Sequence, residues 1–185
     1  MKCAVCHHKG PPSNEAKETP LLVDDATAAK FAVLAELCIE VGRTLGKGYV
    51  EGVYQQALCT ELQGKGIHFV SEETMPIMYK GMPLGGGMNH RLDVALRSYL
   101  PFIFELKAIA TIKSDHSWQL VRYMSYKDQP YGAVVNFSQS EKGALEIQFI
   151  VNQGGVFYLY NPSTRGGQQL VDYRFELPAA AADED

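Results

Sequence analysis

A chain of 185 residues with 46% hydrophobic and 21% charged residues has ordinary globular composition. It is long enough for one sizeable core and is not a disordered polymer. Its formal net charge of −4 argues against indiscriminate coating of nucleic acid, though it leaves room for a local basic groove.

Residues 1–25 are polar and rich in Pro, Lys, His and Glu, and are expected to form a flexible leader. They lack the basic-then-apolar pattern of a secretory signal and the Arg-rich pattern of a transit peptide. No apolar run approaches the roughly 20 residues that span a bilayer. Cys38 and Cys59 sit among apolar residues as small hydrophobes. The expectation is an intracellular, non-secreted protein with no membrane attachment. Cys3, Cys6, His7 and His8 have the spacing of half a Zn²⁺ site. No second Cys-x-x-Cys follows, so a structural Zn²⁺ site is not expected there.

Asp24, Asp25 and Thr27 offer N-caps, and Phe31, Leu34, Cys38 and Val41 recur at helical spacing. A helix over 27–41 follows, broken by the glycines of 42–48. A second helix is predicted over 50–63, with Val50, Val53, Tyr54, Ala57, Leu58 and Leu62 as its buried stripe. Residues 67–79 read as extended, with Pro76 at an edge or bend. Lys80-Gly81 suits a tight turn and Gly85-Gly86-Gly87 a flexible corner.

In 91–97, Leu92, Val94 and Leu96 alternate with Arg91, Asp93, Ala95 and Arg97; in 101–107, Phe102, Phe104 and Leu106 alternate with Ile103, Glu105 and Lys107. Both are period-two strands. Ser98, Tyr99 and Leu100 form the predicted hairpin loop. A helix is expected over 115–127 and a buried strand over 131–137. Strands are predicted over 146–151, 156–160 and 170–177, either extending the sheet or making a homodimer edge. The domain is drawn as 26–178, with a disordered acidic tail at 179–185.

The hairpin pairs Leu92 with Leu106, Val94 with Phe104 and Leu96 with Phe102, so that the even residues share one apolar face. That register sets Asp93 opposite Glu105. Two carboxylates about 5 Å apart repel by about 3 kcal/mol at an effective dielectric near 20. Folding gains nothing from such a pair, whereas a cation reverses the sign. Mg²⁺, or Mn²⁺, takes a few carboxylates and keeps several waters. Lys107 lies on the same face, where an ammonium can hold a phosphate oxygen or a water. Metal plus lysine is the chemistry of phosphodiester hydrolysis.

Glu51, in the first turn of the second helix, borders its apolar stripe. It suits either a third metal ligand or a helix-dipole partner. His116, Gln119 and Tyr123 share one face of the third helix. They suit either the positioning of a water or nucleic-acid strand or a polar core boundary. Trp118, Val121 and Met124 form that helix's apolar side.

Several ordered motifs resemble the GxxExxY proteins: Gly48-Tyr-Val-Glu51-Gly-Val-Tyr54, Arg91-Leu-Asp93, Phe104-Glu105-Leu-Lys107-Ala, His116-Ser-Trp-Gln119-Leu and Val134-Val-Asn136-Phe137. The resemblance covers about residues 42–151. That family lies within the PD-(D/E)XK nucleases. The resemblance implies an α/β restriction-endonuclease-like core, a mixed central sheet flanked by helices. It places metal-binding acids at Asp93 and Glu105, a RecB-like helix carboxylate at Glu51, the catalytic lysine at Lys107 and the QxxxY pair at Gln119 and Tyr123. The expected activity is metal-dependent hydrolysis of DNA or RNA; the alternative is an inactive nucleic-acid-binding or regulatory module on the same fold.

Overall fold

Asp24 starts the first helix: its backbone is extended and its carboxylate accepts the Thr27 N–H at 2.7 Å. One of the orphan donors of the first turn is thereby satisfied. Helix α1 runs Asp25–Leu45 in a computed structural model that describes residues 21–170. It continues through Gly42, where a break was expected. A Cβ at Gly42 would meet only ordinary contacts, the Phe137 ring at 3.7 Å and Leu145 at 4.0 Å. The helix ends at Gly46, whose φ of 67° suits a residue without a Cβ.

Leu22 and Val23, within the stretch read as a leader, are buried in the core, and the Leu22 N–H donates to the Arg165 carbonyl at 3.0 Å. These apolar residues are held between the first helix and the late strands. Residues 1–20 of the expected leader, with Cys3, Cys6, His7 and His8, lie outside the described residues.

Helix α2 is Glu51–Gly64, and its buried face is Tyr54, Gln55, Leu58, Cys59 and Leu62. Two valines of the predicted stripe are not on that face: Val50 is 74% exposed and Val53 is also exposed. The stripe is turned toward Gln55 and Cys59, because the helix seats against the sheet where the Gln55 amide reaches the Asp93 carbonyl at 3.4 Å.

The strands are β1 Phe69–Pro76, β2 Met78–Tyr79, β3 Met82–Pro83, β4 Asn89–Leu96, β5 Phe102–Lys107, β6 Tyr131–Phe137, β7 Leu145–Gln153, β8 Val156–Tyr160 and β9 Gly167–Gln169, with helix α3 at Ser114–Lys127. Seven form one sheet in the order β1-β4-β5-β6-β7-β8-β9, and β2 and β3 form a separate ribbon. Only β5 and β6 are parallel; the other pairs are antiparallel. A parallel pair needs a crossover, and α3 supplies it. The late strands β7 to β9 extend the sheet. Of the strand expected over 170–177, Leu170 is outside any strand and the remainder lies outside the described residues, as does the acidic tail.

Helices α1 and α2 cover one face of the sheet. There the Phe31 ring stacks on Phe149 at 4.8 Å and meets Phe102 and Tyr160 edge-on. Burying such a ring stabilises the fold by about 2 to 3 kcal/mol. Helix α3 covers the other face with Leu120, Val121, Tyr123 and Met124, over Ile103, Val134 and Ile150. This is the mixed α/β architecture of the restriction-endonuclease-like core.

The β4–β5 loop is longer than the predicted three residues. It spans 97–101, and Leu100 within it is buried.

Candidate active site

β4 and β5 pair with Val94 opposite Phe104 and Ala95 opposite Ile103, the expected register. The ladder stops there, so the other expected pairs, Leu92 with Leu106, Leu96 with Phe102 and Asp93 with Glu105, are not part of it. β1 pairs on both sides of Asp93, Ser71 with Val94 and Glu73 with Leu92, while Glu72 adopts a left-handed φ of 55°. Asp93 therefore sits at a break in the pleat. Its Oδ2 accepts the Leu106 N–H at 2.6 Å. A side chain takes the donor that the strand pairing leaves open.

The break corrects one expectation. Leu92 does not share a face with Val94 and Leu96; it packs with Met75 and Ala95 in the α3 layer, while Val94 and Leu96 pack under α1 and α2. Alternation holds only along an unbroken ladder.

Glu105 is 1% exposed. One carboxyl oxygen pairs with the Lys107 ammonium, and the other, Oε2, has no hydrogen-bond partner. Burial, followed by the charge of Asp93, pushes the Glu105 pKa up to about 8. Burial also raises the pKa of Asp93 against the pull of the Leu106 N–H and Lys107. It raises that of Glu51 against Lys107. Burial opposes the Lys107 ammonium, yet Glu105, Glu51 and Asp93 hold its pKa above the usual value. Lys107 Nζ also lies 3.8 Å from Glu51 Oε2. One ammonium thus faces three carboxyls, and the cluster is short of positive charge.

The first turn of α2 carries Glu51, and Tyr54 anchors the loop before it. The Tyr54 ring stacks on Phe137 at 4.3 Å, and its hydroxyl donates to the Gly46 carbonyl at 2.9 Å. Gln139 bridges the same loop, donating to the Tyr54 hydroxyl at 3.2 Å and accepting the Gly48 N–H at 2.7 Å. The spacing Gly48, Glu51, Tyr54 thus has a mechanical reading: glycine turns the chain, tyrosine pins the turn, and the glutamate projects from it. Tyr54→Phe keeps the ring and loses the hydroxyl. It is expected to cost about 1 to 2 kcal/mol in urea unfolding. An unchanged midpoint would show that the hydroxyl does not hold the loop.

On α3, the Gln119 amide donates to the Tyr123 hydroxyl at 2.8 Å. Burial raises the Tyr123 pKa; the Gln119 hydrogen bond opposes this, and the charges of Glu105 and Asp93 add to it. The phenol therefore lies within the field of the carboxyl cluster. The His90 ring meets it edge-on at 5.2 Å. His116 is turned to its own helix end, its Nδ1 accepting the Lys113 N–H at 3.0 Å. Glu51, Asp93, Glu105 and Lys107 are thus one interacting cluster, with the Gln119–Tyr123 pair beside it.

The sequence profile of the PD-(D/E)XK nuclease superfamily matches residues 29–148, more than half the chain. The chain belongs to this superfamily. Neither the curated proteins nor the solved structures contain a match. Among the described residues of this nuclease-superfamily chain, no three His, Cys, Asp or Glu side chains converge as a ready-made metal cage. The donor set nevertheless fits the divalent metal that such nucleases use. An unpartnered buried carboxylate oxygen and a cluster short of positive charge are what a cation would satisfy.

Sequence reasoning assigned no role to Asn136, which this superfamily chain buries beside Lys107 in the parallel ladder. Its amide donates to Glu146 Oε2 at 2.6 Å and to the Ile109 carbonyl at 3.3 Å, and accepts the Ile109 N–H at 3.0 Å. Glu146 in turn accepts from the Thr111 hydroxyl and the Ile112 N–H. This clamp shapes the turn between Lys107 and α3. Its sequence signals were a lone asparagine within an apolar strand and its place in the Val134-Val-Asn136-Phe137 motif. The thiols of Cys38 and Cys59 are free and buried, and burial pushes that of Cys38 up to about 12. No helix among the described residues is long and apolar enough to cross a membrane.

Proposed function

We propose that this chain is a Mg²⁺- or Mn²⁺-dependent nuclease of the GxxExxY type, hydrolysing phosphodiester bonds of DNA or RNA. The observation that carries this reading is Glu105: a buried carboxyl with one oxygen unpartnered, next to Asp93 and sharing one ammonium with Glu51. Glu51, Asp93 and Glu105 would hold the ion. When bound, it supplies a water of lowered pKa and neutralises charge growing on the phosphate oxygens. Lys107 then turns its ammonium from the carboxyls to a phosphate oxygen. Gln119 and Tyr123, bonded to each other, orient the strand or the water. The buried free thiols support an intracellular, reducing setting.

The test is cleavage of single- and double-stranded DNA and RNA by the full chain with Mg²⁺ or Mn²⁺. Wild type is expected to cleave at least one of these, and Asp93→Asn and Glu105→Gln are expected to lose cleavage while staying folded by circular dichroism. Equal rates in wild type and variants would assign the activity to a contaminant and end this reading. The second reading, an inactive nucleic-acid-binding or regulatory module, is favoured by the Lys107 ammonium standing among the carboxyls. It gains support if wild type cleaves nothing and Mg²⁺ leaves Tm unchanged.

A further inference from the structure

We infer that the β2–β3 ribbon is a base-stacking element that makes this site selective for nucleic acid with unpaired bases. This rests on the nuclease reading above and names its substrate class.

The ribbon departs from the sheet where Pro76 pairs with Asn89, and it is closed by hydrogen bonds between Ile77 and Met88 and between Ile77 and Leu84. Lys80 and Gly81 turn it with φ values of 50° and 80°, as in the tight hairpin turns that favour such residues. Its last pair is Tyr79 with Met82. Directly paired residues point to one face. Tyr79 is 61% exposed and Met82 is 71% exposed. The Lys80 ammonium stands 5.6 Å from the centre of the Tyr79 ring. An aromatic ring, a polarizable thioether and an ammonium thus project together.

Topology ties this face to the candidate active site. From Asn89 at the ribbon's base to Asp93 is four residues of β4, about 13 Å. β5 runs antiparallel to β4, so Lys107 lies toward the same end of the strand pair. The charge pattern selects the occupant. From Thr74 to Leu92 the chain has no Asp or Glu but carries Lys80 and Arg91, the latter 3.8 Å from Glu72, within a protein of net charge −4. An acid-free basic stretch continuous with the site suits a polyanion. The exposed apolar tip suits the faces of bases, which are open only where bases are unpaired. A groove reader of intact duplex would instead carry polar side chains for base edges.

The test measures binding by fluorescence anisotropy with Mg²⁺ present, in the Lys107→Ala full chain so that bound strand is not consumed. The probes are a labelled single-stranded oligonucleotide and a blunt duplex of equal length. Tighter binding of the single strand is expected. Tyr79→Ala and Met82→Ala each weaken it about tenfold or more, while Tyr79→Phe retains it. Lys80→Gln lowers the slope of log affinity against log salt by about 0.7. These side chains are exposed, so the variants keep the wild-type Tm.

Duplex bound as tightly as single strand, or Tyr79→Ala binding like wild type, overturns the inference. So does a concentration-dependent dimer that Tyr79→Ala abolishes with single-strand affinity unchanged, which would assign the ribbon to a second copy of the chain. The outcomes separate the two readings. Cleavage by wild type without ribbon-dependent binding refutes this inference alone. Ribbon-dependent binding without cleavage by wild type refutes the nuclease reading alone.

Discussion

Lys107→Ala is expected to lower metal-dependent cleavage by roughly 10²–10³-fold, the loss typical of removing one preorganised charge that meets developing negative charge. Lys107 pairs with Glu105 and lies 3.8 Å from Glu51. It is therefore already held at the candidate site before substrate arrives. Lys107→Arg is not expected to restore the rate, because a planar guanidinium is bulkier and directs its donors differently. Lys65→Ala removes an exposed lysine at the far end of α2 and is expected to leave the rate unchanged. Rates are compared per folded molecule, since loss of Lys107 leaves both Glu105 oxygens unpaired. A Lys107→Ala rate within threefold of wild type would remove lysine from the mechanism.

The metal-free protein is expected to lose stability as pH rises, and Glu105 is the main cause. Its folded-state pKa is about 8 against an ordinary value of 4.5. The folded state therefore holds a proton that the unfolded chain releases. The contribution is fully present below the unfolded value and is lost as pH rises through the folded one. Between those limits the loss is on the order of 5 kcal/mol. Asp93 and Glu51, also shifted upward, act in the same direction. Urea unfolding in chelator from pH 5 to 9 measures this. Glu105→Gln is expected to flatten most of the slope and to be more stable than wild type at pH 9. Added Mg²⁺ is expected to raise wild-type stability most at high pH, where the carboxyls bind it without first losing a proton. A flat wild-type profile, or a Glu105→Gln profile parallel to wild type, would refute the assignment.

The three helices, the two acidic strands and their register followed from local rules. Period-two alternation set Val94 against Phe104, and helical spacing put Gln119 and Tyr123 on one face. These depend on neighbours in sequence or across one hairpin. Local rules failed where a distant segment decides. Val50 and Val53 are apolar at helical spacing yet exposed, because the covered side of α2 depends on where the sheet lies. The Asn136–Glu146 clamp joins β6 to β7 and then to the turn after Lys107, so no one window contains it.

Asp93 and Glu105 were expected to face each other across the hairpin, but the β4–β5 ladder holds only Val94 with Phe104 and Ala95 with Ile103. That two carboxylates and a lysine lie at this point of a hairpin was legible from residue pattern, since polar–apolar alternation is a property of each strand. Their environment depends on the packing of separate elements. The left-handed turn at Glu72 breaks the ladder beside Asp93, and its carboxylate takes the Leu106 N–H. Burial leaves Glu105 with one oxygen unpartnered, and packing of α2 over the sheet brings Glu51 to the same ammonium. Desolvation and charge shortage arise only when separate layers close over one point, which is why no strand pattern reveals them.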